Sequence, residues 1–217
     1  EKKILPVNPA RQMKYLPEGK ARMPRAIYPD ELKIFFKTLK RNKHLCHGKI
    51  IEIVLISYYT GMRLGEIVNL LKENVRIKEG MIYIQAYGKG ENYWRPKSSE
   101  SVRAIDIHPD LLPILKTLLK TDGPYLFSQE DGPLLQQSSV SIAMRKIIKQ
   151  TKLPQDISFH CLRHTFITNL LENGTPLKEA QAIAGHADIR TTMKYVHVIP
   201  KKHSPVKAIP SVRRLVS

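Results

Sequence analysis

Two stretches of the chain, MIYIQAY at 81–87 and VRAIDI at 102–107, carry the β-branched and aromatic content of strands. Gly88, Gly90, Pro96 and three serines lie between them, the make-up of a long, polar hairpin connection. Most of the remaining pattern is helical. A helix is expected to start at Pro29, whose fixed φ and missing N–H suit a first turn, with Asp30 and Glu31 placed favourably for the helix dipole. Leu32, Ile34, Phe35, Phe36 and Leu39 would form its buried face. A more apolar helix spans 50–59 and ends at Thr60-Gly61, where glycine can take a positive φ. Further helices are expected at 64–71, 109–120, 136–151, 160–173, 177–185 and 188–197, with a short strand near 125–127. The fold class is therefore α+β, mostly α-helical, with one small antiparallel β-sheet.

The 217 residues suit one large domain with extensions, and 42% hydrophobic content is enough for a real core. The formal charge is +17, and its distribution is uneven. Residues 1–50 hold 13 Lys/Arg against 4 Asp/Glu, residues 51–189 hold 16 against 15, and residues 190–217 hold 7 against none. A nearly neutral body with basic ends points to a polyanion, with nucleic acid first among candidates. The Pro-, Lys- and Arg-rich stretch 1–25 reads as a basic linker or arm, and 199–217 as a basic tail. No apolar run is long enough to span a membrane. Cys46 and Cys161 lie far apart without metal spacing and read as free thiols in a reducing compartment. The expected location is the cytoplasm, in association with the nucleoid. The chain reads as a fragment or processed product of a longer protein.

Three segments set polar groups beside apolar helices. The first, TGMRLGE at 60–66, places Arg63 just after a helix break. The second, HCLRHT at 160–165, puts His160 and Arg163 on one helix face, near free backbone N–H groups at a helix start. The third is Gly185-His186-Ala187-Asp188, with Tyr195 nine residues after the histidine. Two arginines and two histidines converging on one anion suggest a phosphate, because the guanidinium fork matches phosphate oxygens and stays charged. A nearby tyrosine could attack phosphorus and form a covalent ester. Fixed cations would then stabilise the charge that grows on the non-bridging oxygens. No acidic cluster suited to Mg²⁺ accompanies these residues, so metal-free phosphoryl transfer without a cofactor is expected over a two-metal nuclease. Singly, each residue has a bland role: an ion pair, a helix cap or a packed ring. Their ordered combination is the signal.

In that combination the chain resembles the tyrosine recombinase (phage integrase) family, from about residue 26 to 198. TGMRLGEI at 60–67 looks like its first arginine box, HCLRHTFIT at 160–168 like its His-x-x-Arg box, and IAGHADIRTTMKYVHV at 183–198 like its last box. The resemblance implies the family's catalytic-domain fold and site-specific DNA recombination through a 3′-phosphotyrosine at Tyr195. Arg63 and Arg163 would clamp the scissile phosphate, His160 would bind it and assist proton transfer from the tyrosine, and His186 would add a contact. A lysine on the hairpin would protonate the leaving 5′-oxygen as general acid. Lys97, in RPKSSESVRAIDI, fits through its distance to the returning strand, and Lys89, in YGKGENYW, is the alternative. Trp94 and Tyr93 could touch DNA or stabilise the hairpin.

The same resemblance implies double-stranded DNA as partner, a homo-tetramer on synapsed DNA, and an N-terminal DNA-clamping domain outside this chain. A role in a mobile element is suggested by the extended hairpin and the long basic linker. Strand relaxation of the type IB topoisomerase kind, or a regulator that binds DNA without cutting, are the competing functions.

Overall fold

The structure is a computed structural model, described here for residues 25–88, 94–128 and 135–196. Its elements follow the order α1 (Pro29–Arg41), α2 (Leu45–Gly48), α3 (Ile50–Thr60), α4 (Leu64–Val68), β1 (Val75–Arg76), β2 (Met81–Ile84), β3 (Arg103–Asp106), α5 (Leu112–Leu118), α6 (Gln137–Lys149), α7 (Phe159–Glu172), α8 (Leu177–Ala184) and α9 (Ile189–Val196). The three strands form one antiparallel sheet in the order β1-β2-β3. Along β2, Ile82 and Ile84 are buried while Met81 and Tyr83 are less so, which is the period of two expected of a sheet with one face on the core.

The α3 helix is apolar on nearly every side, and Ile50, Ile53, Val54 and Ile56 are buried. It runs through the middle of the helical layer and packs chiefly on α7. Around it lie Phe35 and Leu39 of α1, Leu115 and Leu118 of α5, Ile147 of α6 and Leu162 of α7, in one continuous core. Burying a side chain such as Phe35 contributes about 1.5–3 kcal/mol. The ends of α1 and α6 are tied by Asn42 and Gln150, which exchange amide hydrogen bonds of 2.9 and 3.1 Å.

Helix α1 begins at Pro29 as expected, and the Glu31 carboxylate accepts from the Tyr28 N–H at 3.0 Å. Ile34, expected in its buried face, is exposed. The helix expected over 64–71 stops at Val68, because Leu71 leaves to bridge Tyr125. That isolated bridge replaces the short strand expected near 125–127. The strand expected over 81–87 ends at Ile84, and the chain pairs again only at Tyr87, which exchanges two 3.0 Å backbone bonds with Trp94. The 109–120 segment opens as a 3-10 turn at Pro109–Leu111 before α5. Neither β1 nor the short α2, where Cys46 and His47 take positive φ, was anticipated. No described helix is long and apolar enough to cross a membrane.

Candidate active site

Local backbone rules aim the first arginine. Helix α3 ends at Gly61, in the left-handed region at φ 63°, with its N–H on the Ser57 carbonyl. A Cβ there would lie 2.3 Å from Cδ1 of Phe166 on α7, so both conformation and the closeness of α7 demand glycine. Arg63 then takes extended backbone as the residue before α4, and the Glu66 carboxylate caps its N–H at 2.9 Å. A helix end is thus folded back at the point where Arg63 must project.

The Arg63 side chain, 26% exposed, donates from Nη1 to Glu66 Oε1 at 2.8 Å and to Ser101 Oγ at 3.0 Å, and from Nη2 to the Gly185 carbonyl at 3.0 Å. Arg163, on α7, is 1% exposed and donates to the carbonyls of Gly61 at 2.7 Å and Ala184 at 2.5 Å. Both arginines therefore bridge the end of α3 or the start of α4 to the C-terminus of α8. Loss of water, then the Arg63 and Arg103 charges, push Arg163 down to about 9, still cationic at neutral pH. A guanidinium has five N–H groups, so each arginine keeps donors beyond these bonds.

The residues that organise this pair escaped the sequence reading. Glu66, 4% exposed, accepts from Arg63 and from Arg103, whose Nη1 and Nη2 reach it at 3.2 and 2.9 Å. Burial raises the Glu66 pKa, but the hydrogen bonds and charge of Arg103, then the bonds of Arg63, outweigh it and hold the carboxyl below its ordinary range. Arg103 also donates to the carbonyls of Ile183 at 2.7 Å and Ser101 at 2.8 Å, joining β3 to α8. A Cβ on Gly185 would meet its Nη1 at 2.9 Å. The three guanidiniums face a single carboxylate, so the pocket keeps a surplus of positive charge. Glu66 stood three residues after Arg63, where an acid caps a helix start, and that spacing was the available signal.

His160 is exposed near the start of α7, and its ring meets His164 edge-on at 4.6 Å. Partial loss of water, then Arg163 and Arg63, lower its pKa. His186 is buried behind the Gly185 turn and shares a 2.9 Å hydrogen bond with Thr192 of α9. Burial first, then Arg163 and Arg63, bring it down to about 3. Tyr195, 2% exposed, stacks on His186 at 6.3 Å between ring centres. Its hydroxyl lies 2.5 Å from Nδ1 of His164, another residue the sequence reading left out. Burial pushes the phenol up to about 12, against the opposing pull of Arg163. The α7, α8 and α9 helices thus gather His160, Arg163, His186 and Tyr195 beside Arg63.

Lys97 is exposed at the far end of the hairpin connection. The connection reaches the arginines through its serines instead: Ser98 and Ser101 share a 3.1 Å hydrogen bond, and Ser101 accepts from Arg63. Lys89 and Tyr93 lie outside the described residues, as do most of the 1–25 linker and all of the 199–217 tail. Trp94 stacks on Tyr87 at 5.5 Å, a contact that braces the hairpin. Among the described residues, no group of three or more His, Cys, Asp or Glu could hold a metal ion.

Comparison with known proteins identifies the family and the fold. The tyrosine recombinase XerC of Staphylococcus aureus (strain NCTC 8325 / PS 47) is 28% identical over 194 residues, covering 88% of this chain and 62% of that protein. The chain therefore spans less than two thirds of that relative. The XerA recombinase structure superposes with a TM-score of 0.65 at 26% identity, covering 88% of this chain and 67% of that one. The Tn1549 transposon integrase, in complex with transposon right end DNA, gives 0.70 at 19% identity over 92% of this chain and 68% of that one. The profile of the phage integrase family matches residues 25–202, most of the chain, and the chain belongs to that family.

Proposed function

We propose that the chain is the catalytic part of a site-specific DNA recombinase that cuts and rejoins strands through a 3′-phosphotyrosine at Tyr195. The observation that carries this reading is the convergence of Arg63, Arg163, His160, His186 and Tyr195 across the α3–α4 turn, α7, α8 and α9. A DNA phosphate would enter against the two arginines, with His160 and His186 adding contacts. Tyr195 Oη attacks phosphorus as the bond to the 5′-oxygen breaks. The arginine charges favour the transition state because its non-bridging oxygens carry more negative charge than the bound phosphate does. The covalent ester keeps the bond energy, so rejoining needs no ATP.

Lys97 is the general acid in this reading, with Lys89 the alternative. Double-stranded DNA is the substrate, four protomers act on two synapsed duplexes, and a mobile element is the setting. The protein would work in the cytoplasm, on nucleoid DNA. XerC and Tn1549 integrase kinship supports recombination over simple strand relaxation.

The test is a nicked suicide duplex incubated with the chain in a chelator. A covalent protein–DNA adduct is expected, whereas a purely reversible DNA binder yields none. DNA with a 5′-bridging thiolate then assigns the acid, since a thiolate leaves without protonation. Lys97→Ala should cleave poorly on normal DNA and recover on the thiolate. Recovery by Lys89→Ala alone would transfer the role to Lys89.

A further inference from the structure

We propose that His164 is the base that receives the Tyr195 proton, leaving His160 to serve the phosphate. The proposal deepens the reading above and rests on tyrosine attack. His160 and His164 are one helical turn apart on α7 and so lie on the same face, with their rings in edge contact. Their positions differ in a way that divides the work. His160 is exposed, where DNA could reach it, while His164 is half-buried with Nδ1 2.5 Å from the Tyr195 hydroxyl. Among the described residues, His160 has no hydrogen bond to Tyr195. A base must stand within hydrogen-bond reach of the proton that it removes, and His164 meets that requirement.

The surroundings make a base necessary. Burial keeps the Tyr195 phenol protonated at neutral pH, so the proton has to leave during attack and not before it. His164 is neutral there, because burial, then His160 and Arg163, bring it down to about 4. The neutral ring with its own proton on Nε2 presents Nδ1 as acceptor. The groups facing this pair are His160, Cys161 and Arg163 of α7 and His186 ahead of α9. A bound phosphate, and still more the transition state, sets negative charge beside Arg163. That charge offsets the Arg163 charge, which adds to burial in holding His164 neutral, so the imidazole gains proton affinity when it is needed.

The step balances. The Oη–P bond forms, the P–O5′ bond breaks, and the Oη proton passes to Nδ1 of His164. The 5′-oxygen takes its proton from the hairpin lysine. On rejoining, the 5′-hydroxyl attacks phosphorus and gives its proton back to the lysine, the Oη–P bond breaks, and the His164 imidazolium returns its proton to Oη.

Single-turnover adduct formation on the suicide duplex tests this with His164→Ala, His164→Asn and added imidazole. Both variants should bind the duplex as wild type does but form adduct about a hundredfold more slowly or worse, the scale of a lost general base. Imidazole should restore much of the His164→Ala rate, and a 5′-bridging thiolate should not. Adduct formation at or above the wild-type rate would overturn the proposal, since His164 would then only hold the tyrosine back. A loss that imidazole leaves unchanged would also overturn it, by assigning His164 a structural role. Absence of adduct from the wild-type chain would instead strike the tyrosine-attack reading itself.

Discussion

At the scale of single residues, the site depends on a buried carboxylate as much as on its cations. Glu66 takes four hydrogen bonds from Arg63 and Arg103, three of them from guanidinium nitrogens at 3.2 Å or less and a fourth from the Arg63 backbone. Removing one partner of a buried ion pair leaves uncompensated charge and costs about 3–5 kcal/mol. Glu66→Ala should therefore lower stability by about that amount in urea melts, and slow adduct formation because Arg63 loses its anchor. Unchanged stability would mean that the arginines hold their places without it. Arg63, His160, Arg163, His186 and Tyr195 were legible as candidates through three ordered motif boxes, and the structure brings them together. Glu66, Arg103 and His164 were not, since their roles come from contacts across 37 residues for Glu66 and Arg103 and 31 for His164 and Tyr195. Sequence spacing carries no mark of such a contact.

At the scale of elements, the α7–α8–α9 unit stores pH sensitivity. His186 and His164 are held neutral, at about 3 and about 4, chiefly by burial. In the unfolded chain each would protonate near its ordinary 6.5. Below that value the unfolded state binds more protons than the folded one, so stability falls as pH drops from about 6.5 towards 4 and then 3. Each histidine contributes at most about 1.4 kcal/mol per pH unit, less where solvent reaches the ring. Urea melts at pH 7 and pH 5 should show the loss, and His186→Asn should flatten it. A pH-independent midpoint would contradict the burial argument. Apart from the short α2, helix existence was readable from periodicity, whereas the ends of α4, β2 and α5 were not. The ends of α4 and β2 follow tertiary pairings, Leu71 with Tyr125 and Tyr87 with Trp94, that no local pattern encodes.

At the scale of the whole molecule, charge and fold divide the labour. The described core is a helical layer with one small sheet, and the excess of basic residues lies in 1–50 and 190–217. If these ends neutralise DNA phosphates, affinity should fall steeply with salt, by about tenfold or more between roughly 50 and 200 mM. A flat response in a binding titration would reject that assignment. In the proposed function, the nearly balanced charge of 51–189 would leave attraction to the ends and chemistry to the surplus cations of the pocket.

In the proposed function, Tyr195 becomes the covalent link to DNA. The direct measurement is adduct formation on a labelled nicked duplex by the wild-type chain and by Tyr195→Phe, with the adducted peptide identified by mass spectrometry. The wild-type chain should carry the nucleotide on the peptide containing Tyr195, and Tyr195→Phe should bind the duplex yet form no adduct. An adduct that persists in Tyr195→Phe, or one that maps to another residue, would rule out Tyr195 as the nucleophile.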